Sequence, residues 1–401
     1  MKLIRYSSID GNSTGYWGIM ALFAGFILAA LGSSYYMEHH GHYVTGMTNQ
    51  IVWGLPHVFA VFLIVAASGA LNIASIASVF NKKAYKPLAR LSAVLAIALL
   101  AGGLMVLVLD LGRPDRLIIA ATIYNFKSIF AWNMILYSGF MGIVGVYIWT
   151  MMDNSVGKYN RVAGISAFVW RLLLTTGTGS IFGFLVARQG YDAAIMAPMF
   201  VIMSFAFGLA IFLLVLMSLY NGTQRELGDA IVLRLRKLLG VFVAAILYFV
   251  AVFHLTNLYA TEHHGVEAFI LRDGGIFTQL FWAQVVVGGL IPLALIYAPM
   301  LQKCRKSLGL ASVLVVVGGL IQMYVIIIGG QAYPLELFPG MEVSSSFFDG
   351  VVNSYSPSLP ELMLGLGGVA VSLIAITLAV KALDLLPVSM ADAVADPHHK
   401  D

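Results

Sequence analysis

Ten stretches of this chain run for about twenty residues or more with hardly a charge among them, and nothing else restricts its folding as much. They lie at roughly 16–37, 53–79, 88–110, 129–151, 163–187, 193–220, 238–260, 276–300, 307–329 and 360–383. A helix of 22 residues covers about 33 Å, enough to cross a hydrocarbon core of about 30 Å. Strands of a membrane barrel are about ten residues long and alternate polar with apolar positions, and these runs do neither. Charged residues make up 10% of the chain, against about 25% in soluble domains. The fold class expected is an all-α integral membrane protein with about ten transmembrane helices. Short connections make consecutive helices antiparallel neighbours.

Charge in the connections predicts the orientation. With the N-terminus cytoplasmic, seventeen of the 23 Lys and Arg residues fall on the inner side, including Lys82, Lys83, Lys86, Arg225, Arg234, Lys303 and Lys306. Five fall outside: Arg113, Arg116, Lys127, Arg188 and Arg272. That asymmetry follows the positive-inside rule and places both termini in the cytoplasm, in a cell inner membrane. The net charge of +4 then reflects topology, and a nucleic-acid partner is not expected; the partner of the apolar surface is the lipid bilayer. The polar lead before the first span and the length of that span predict a retained helix, not a cleaved signal. The single cysteine, Cys304, excludes an intrachain disulfide and any iron–sulfur cluster bound by this chain's own thiolates.

The transmembrane domain is expected over 1–383, with a cytoplasmic tail over 384–401 that is read as disordered. The outer connection 330–359 is long, aromatic and free of Lys and Arg; such loops are usually functional, and a docking surface is predicted. Residues 221–237 read as a short basic amphipathic helix at the inner interface.

Two stretches repeat a pattern: YYMEHHGH at 35–42 and YATEHHG at 259–265. Both lie where an apolar run ends on the outer side. Glu38, His39, His40, Glu262 and His263 are therefore read as partner-facing or proton-entry groups, together with Tyr333 and Tyr355 of the long outer connection. Glu and His are apt zinc ligands, so a surface zinc site is the alternative; no metal site is predicted.

Ionisable residues inside spans are functional candidates, because burying them in lipid is costly. His57 lies one turn below the outer surface, and His254 about 9 Å deep in the seventh span. Paired histidines on two helices suit a haem b, but the reading preferred for this pair is quinone binding or proton transfer, since imidazole changes charge near neutral pH. A structural imidazole bonded to a carbonyl is the third alternative. Arg171, about 12 Å deep from the inner side, is expected to snorkel or to pair with Asp153 or Asp384, and is a candidate for an inner proton path. On the outer side Asp110, Arg113, Asp115 and Arg116 form a charged turn. Glu361, with no neighbouring cation in sequence, is expected to seek Arg113, Arg116 or a protonatable ligand. Trp53, Trp132 and Trp282 outside, and Trp17 and Trp149 inside, read as an aromatic belt.

Several of these stretches resemble one family. LDLGRPDR at 109–116 followed by NFKSIFAWN at 125–133, with Ser128 and Trp132, is similar to the hallmark of the NrfD/PsrC family, the polysulfide-reductase-type membrane subunits. WGLPHVFAVFLIVAASGALNIAS at 53–75 looks like the first core helix of that family. GSIFGFL and APMFVIMSFAFGLA, over 179–210, and SYSPSLPEL at 354–362 are similar to its other characteristic segments. The YYMEHHGHY corner looks most like the ten-helix branch associated with sulfite reductase complexes. The chain has Thr178 where many members place a histidine, a departure from the pattern.

The resemblance implies two four-helix bundles, spans two to five and six to nine, over about 50–220 and 221–330, with flanking helices one and ten. It also implies a quinone site near the outer face, involving His57, His254, Asp110, Arg113, Glu361 and Tyr259, for menaquinone or ubiquinone. The implied electron partner is a periplasmic ferredoxin-like iron–sulfur subunit. A multihaem cytochrome c, a cytochrome b-type membrane subunit and a cytoplasmic iron–sulfur subunit would complete the complex. A secondary transporter and an inert anchor are the alternatives from other classes.

Overall fold

The computed structural model describes residues 4–335 and 350–397. The ten apolar runs are ten helices, here α1 (Thr14–His40), α2 (Leu55–Ser78), α3 (Lys83–Leu109), α4 (Ile129–Met152), α5 (Gly157–Gly183), α6 (Met196–Gly222), α7 (Asp229–Tyr259), α8 (Ile276–Tyr297), α9 (Arg305–Ala332) and α10 (Leu359–Ala382). Each is 22 residues or longer, so each can cross a bilayer unaided. The chain is a multi-pass, all-α membrane protein.

Helices α2 to α5 pack on one another as one bundle, and α6 to α9 as a second. The join is made by α2 and α5 against α6, while α10 lies against α1, α2 and α3. Burial follows this plan: 89% of the most apolar window of α2 is covered by protein, against 17% for α1. Among apolar helices in lipid, contact is gained by close backbone approach, which needs small residues. At the α2–α6 crossing, a Cβ on Gly69 would overlap the Ser204 carbonyl, and one on Gly208 would overlap the backbone of Gly69 and Ala70. Gly102 and Gly368 bring α3 and α10 together in the same way, and Gly288 and Gly318 join α8 to α9.

The second bundle is locally widened by inserted residues. α8 carries a π-turn at Val286–Leu290 and α9 another at Val325–Gly329; a third, Phe269–Asp273, precedes α8. In α8 the cause is legible, because Pro292 lacks the N–H that Gly288 would otherwise receive.

The termini lie together on one face. β1 (Tyr6–Ser7) pairs antiparallel with β2 (Leu386–Pro387), Ile9 N donates to Val380 O, and Arg225 donates to Ser7 O, Ser8 O and Leu386 O. This overturns the expectation of a disordered tail as far as 397: Leu385, Leu386 and Met390 are fully buried, because an apolar LDLLPVSM segment has a core to enter. His398 and His399 lie outside the described residues. Residues 221–237 also differ from expectation. No separate surface helix forms: 221–222 end α6, 223–228 connect, and 229–237 begin α7, where Arg234 pairs with Asp396 at 2.8 Å and buried Arg236 caps the α8–α9 connection through Leu295 O, Leu301 O, Gln302 O and the Ser307 hydroxyl.

Candidate functional site

The site is built around the start of α2, at the face opposite the termini. Gln331, at the end of α9, clamps the segment that leads into α2. Its amide oxygen accepts from Val52 N and Trp53 N, both at 3.0 Å, and its amide nitrogen donates to Trp53 O at 3.0 Å and Ile327 O at 2.8 Å. Arg188 ties the same corner to Gln331 O and Gln50 O. The first backbone N–H of α2, on Leu55, donates to the Tyr355 hydroxyl at 2.7 Å, and that hydroxyl donates to Glu361 at 2.7 Å. The other Glu361 oxygen accepts from Gly46 N and Ser358 N. Burial and the neighbouring Glu361 charge hold the Tyr355 phenol well above its ordinary pKa, so it stays a donor.

Glu361 thus meets its partners within the α10 capping box, at the tyrosine and at Gly46 N, not at Arg113 or Arg116, the cations expected beside a protonatable ligand. Arg113 pairs with Asp115 at 3.0 Å, and that guanidinium holds the Asp115 carboxyl below the usual range.

One turn into α2, His57 Nδ1 lies 3.1 Å from Asp110 Oδ2. The contact has ion-pair distance but lies off the line of a hydrogen bond, and neither Asp110 oxygen receives an aligned donor. Asp110 is 7% exposed and caps the C-terminal end of α3, where the helix dipole disfavours negative charge. Stability alone gives no reason to put a carboxylate there. The turn that follows folds through Gly112 at φ +66°, and a Cβ at that position would stand 3.0 Å from His42 Nε2. The histidine-rich corner and the LDLGRP turn therefore pack on each other.

Beside His57 lies an aromatic cluster. The Trp53 ring centroid is 6.4 Å from His57, 6.0 Å from Phe130, 5.9 Å from Phe182 and 6.4 Å from Tyr191. Trp53 is half-buried, so it departs from the belt predicted for it. Trp17, Trp132, Trp149 and Trp282, exposed by about half, fit that belt. The cluster escaped the sequence reading because its members come from the segment leading into α2, from α4, from α5 and from the α5–α6 connection. A flat apolar wall next to a titratable pair is suited to a planar ring with polar oxygens.

Below this corner a polar string descends the first bundle. Asn133 meets Thr178, which meets the Tyr137 hydroxyl at 3.2 Å. One turn further in, Thr175 bonds Ser68 at 2.6 Å, and Arg171 bonds Asn72 at 2.6 Å and Ser68 O. Arg171 is 3% exposed and stacks on Phe168 and Phe205. It neither snorkels nor meets the expected acids: Asp153 accepts from Ser155 and Trp149, and Asp384 from Ser8 N.

His254 belongs elsewhere, against Glu267 at 2.7 Å, and the cavity it lines does not include His57. Tyr259 is 90% exposed at the end of α7, apart from the aromatic cluster. Of the groups read as partner-facing, Glu38, His39, His40 and Glu262 are exposed. His263 is buried with its ring against Gln189 O, and Tyr333 and Tyr355 are half-buried in the corner; all three differ from expectation because the corner folds inward. Residues 336–349 of the outer connection lie outside the described residues. Among the described residues, no group of three or more His, Cys, Asp or Glu is placed to hold a metal ion.

The family model described as polysulphide reductase, NrfD, matches residues 43–334, which spans both bundles and the His57 site apart from Tyr355, Ser358 and Glu361. The chain belongs to the NrfD family. Three relatives align along most of their length. The Hdr-like menaquinol oxidoreductase integral membrane subunit of Archaeoglobus fulgidus is 28% identical over 98% of this chain and 99% of its own. A putative dimethyl sulfoxide reductase membrane subunit of Halobacterium salinarum is 25% identical over 94% and 93%. The menaquinone reductase integral membrane subunit of Nitratidesulfovibrio vulgaris is 22% identical over 89% and 88%.

Proposed function

We propose that this NrfD-family chain is the quinone-binding membrane subunit of a multi-subunit oxidoreductase, with the quinone ring held at the start of α2. The observation that carries the reading is His57 against Asp110, a titratable pair with unfilled acceptor positions beside the Trp53 cluster. The relatives named for menaquinol and menaquinone support it. Asp110 lacks a donor, and a quinol hydroxyl is a donor, so the residues present fit the substrate.

Oxidation of a quinol releases two electrons and two protons. His57 takes the two hydroxyl protons in turn, passing the first on to water before it takes the second, and Asp110 stabilises the imidazolium formed each time; in the reverse direction the same pair delivers them. Trp53 and Phe130 flank the ring, and Gln331 and Tyr355 fix the backbone that carries Trp53 and His57. The Arg171 string is the proposed inner proton path. Its first step from the site is Asn133, one helical turn from Phe130.

Electrons pass between the quinone and a periplasmic iron–sulfur subunit. That partner docks on the face with Glu38, His39, His40 and Glu262, in a cytoplasmic membrane with both termini inside. Menaquinone is favoured over ubiquinone by the relatives' names, and a sulfur-metabolism complex is the setting the sequence resemblance suggests.

The test is His57→Ala and Asp110→Asn in the assembled complex. Quinol-dependent turnover should fall about 100-fold or more with assembly unchanged. Full turnover in both variants would make the chain an anchor, with the quinone chemistry in another subunit.

A further inference from the structure

The second bundle holds a titratable pair that the reaction above does not use. His254 of α7 places Nδ1 2.7 Å from Glu267 Oε2, and Glu267 Oε1 accepts from Asn257 Nδ2 at 2.9 Å. The Glu267 side chain is 2% exposed and that of His254 13%. The edges of Phe253 and Phe281 enclose the imidazole, at centroid separations of 4.9 and 4.7 Å.

Beside the pair is a small cavity lined by His254, Met199, Gln284, Gln322, Val325 and Gly330, among others. It offers about 40 Å³ to the centres of water-sized molecules, room for about three waters and too little for a quinone ring. Gln284 is nine-tenths buried, and its amide oxygen has no partner among the described residues. Two of the three π-turns contribute lining residues, Ile270 from one and Val325 and Ile326 from another, and such turns concentrate at functional sites.

We propose that His254 and Glu267 form a proton-binding site, hydrated and distinct from the quinone site. With Nδ1–H donated to the carboxylate, Nε2 keeps a lone pair. A proton relayed through the cavity from a hydronium ion forms one N–H bond there, leaves neutral water behind, and changes the pair from a net charge of −1 to 0. Release returns the proton to water, and no electron moves. An apolar interior favours the neutral pair over a lone carboxylate, which makes the arrangement suited to storing a proton. The groups that face it are uncharged: Met196 and Met199 from α6, Phe281 and Gln284 from α8, Gln322 and Val325 from α9, and Asn257 on α7 itself. On the connection to Glu267, Glu262 and His263 pair with each other at 3.7 Å.

The test is infrared difference spectroscopy of the assembled complex between acid and alkaline pH, with isotope-labelled histidine. An imidazole band coupled to a carboxylate band should titrate, persist in His57→Ala, and be lost in both His254→Gln and Glu267→Gln. Persistence in both variants, or its absence from the unsubstituted protein, would overturn the proposal. Gln284→Leu leaves the pair intact and displaces the water. It should slow deuterium exchange at the His254 signal several-fold, and unchanged exchange would sink the proposal even if the other variants fail to assemble.

Discussion

Single residues carry different burdens at the two ends of the site. Asp110 and His57 are poorly satisfied by the fold, whereas Glu361 and Tyr355 are fully satisfied and serve to hold α2 in place. The two kinds of residue therefore call for different readouts. Tyr355→Phe removes a hydroxyl that both accepts and donates, leaving Leu55 N and Glu361 short of a partner. Each unsatisfied buried group costs about 1–3 kcal/mol, so the variant should melt earlier in detergent, by thermal shift, while bound quinone still responds to His57. Asp110→Asn should behave in the opposite way, with melting near that of the parent and turnover lost.

Much of this contrast was hidden in the sequence. The motif LDLGRPDR marks Asp110 and Arg113 equally, and only the direction of each side chain separates them: Arg113 turns to Asp115 at the surface, Asp110 turns to His57. Trp53 reads as one of five belt tryptophans, and Glu267 belongs to no motif that singles it out. Their partners lie on other helices, at separations no local pattern encodes.

At the scale of elements, the controlling contacts are glycine crossings and π-turns. Gly208 lies where α6 touches the backbone of α2, so Gly208→Ala forces the two central helices apart. Overpacking of this kind costs about 1–3 kcal/mol, and it would also shift the segment that carries His57. Gly142, on α4, has open space where its Cβ would stand. Thermal unfolding in detergent should therefore separate the pair: Gly208→Ala destabilised, Gly142→Ala close to the parent. Equal melting of the two would contradict the crossing.

The π-turns matter because they free carbonyls. Ile327 O, inside the turn Val325–Gly329, receives both the Tyr191 hydroxyl at 2.5 Å and the Gln331 amide at 2.8 Å. Burial keeps the Tyr191 phenol above its ordinary pKa, so this donor does not titrate away. Tyr191 also faces Trp53, and Gly330 lines the His254 cavity. One turn of α9 thus forms the wall between the two candidate sites.

At the scale of the whole molecule, the clasp of β1, β2 and Arg225 gathers both termini and the basic connections on one face. Cys304 lies on that face, and the N–H groups of Ser307 and Lys306, chiefly Ser307, lower its thiol pKa. A lowered pKa means that thiolate persists to more acid pH than in a free cysteine. A membrane-impermeant maleimide should accordingly label inverted vesicles and leave intact cells unlabelled, and the labelling rate should fall off at lower pH than for a simple thiol. Labelling of intact cells would reverse the proposed orientation.

The sequence by itself determined the number of spans, their boundaries to within nine residues, and the membrane class, because lipid demands that each crossing satisfy its own backbone hydrogen bonds within a long apolar helix. It also carried the family, through short motifs at helix ends. The tertiary structure alone decided which polar groups meet. Inside a bilayer the lipid-facing side of a helix is as apolar as its packed side, so no amphipathic stripe announces which face turns inward. That choice is made by glycine contacts and by hydrogen bonds between distant segments. They set His57 on Asp110 in the first bundle and His254 on Glu267 in the second, out of two histidines that looked alike in the chain.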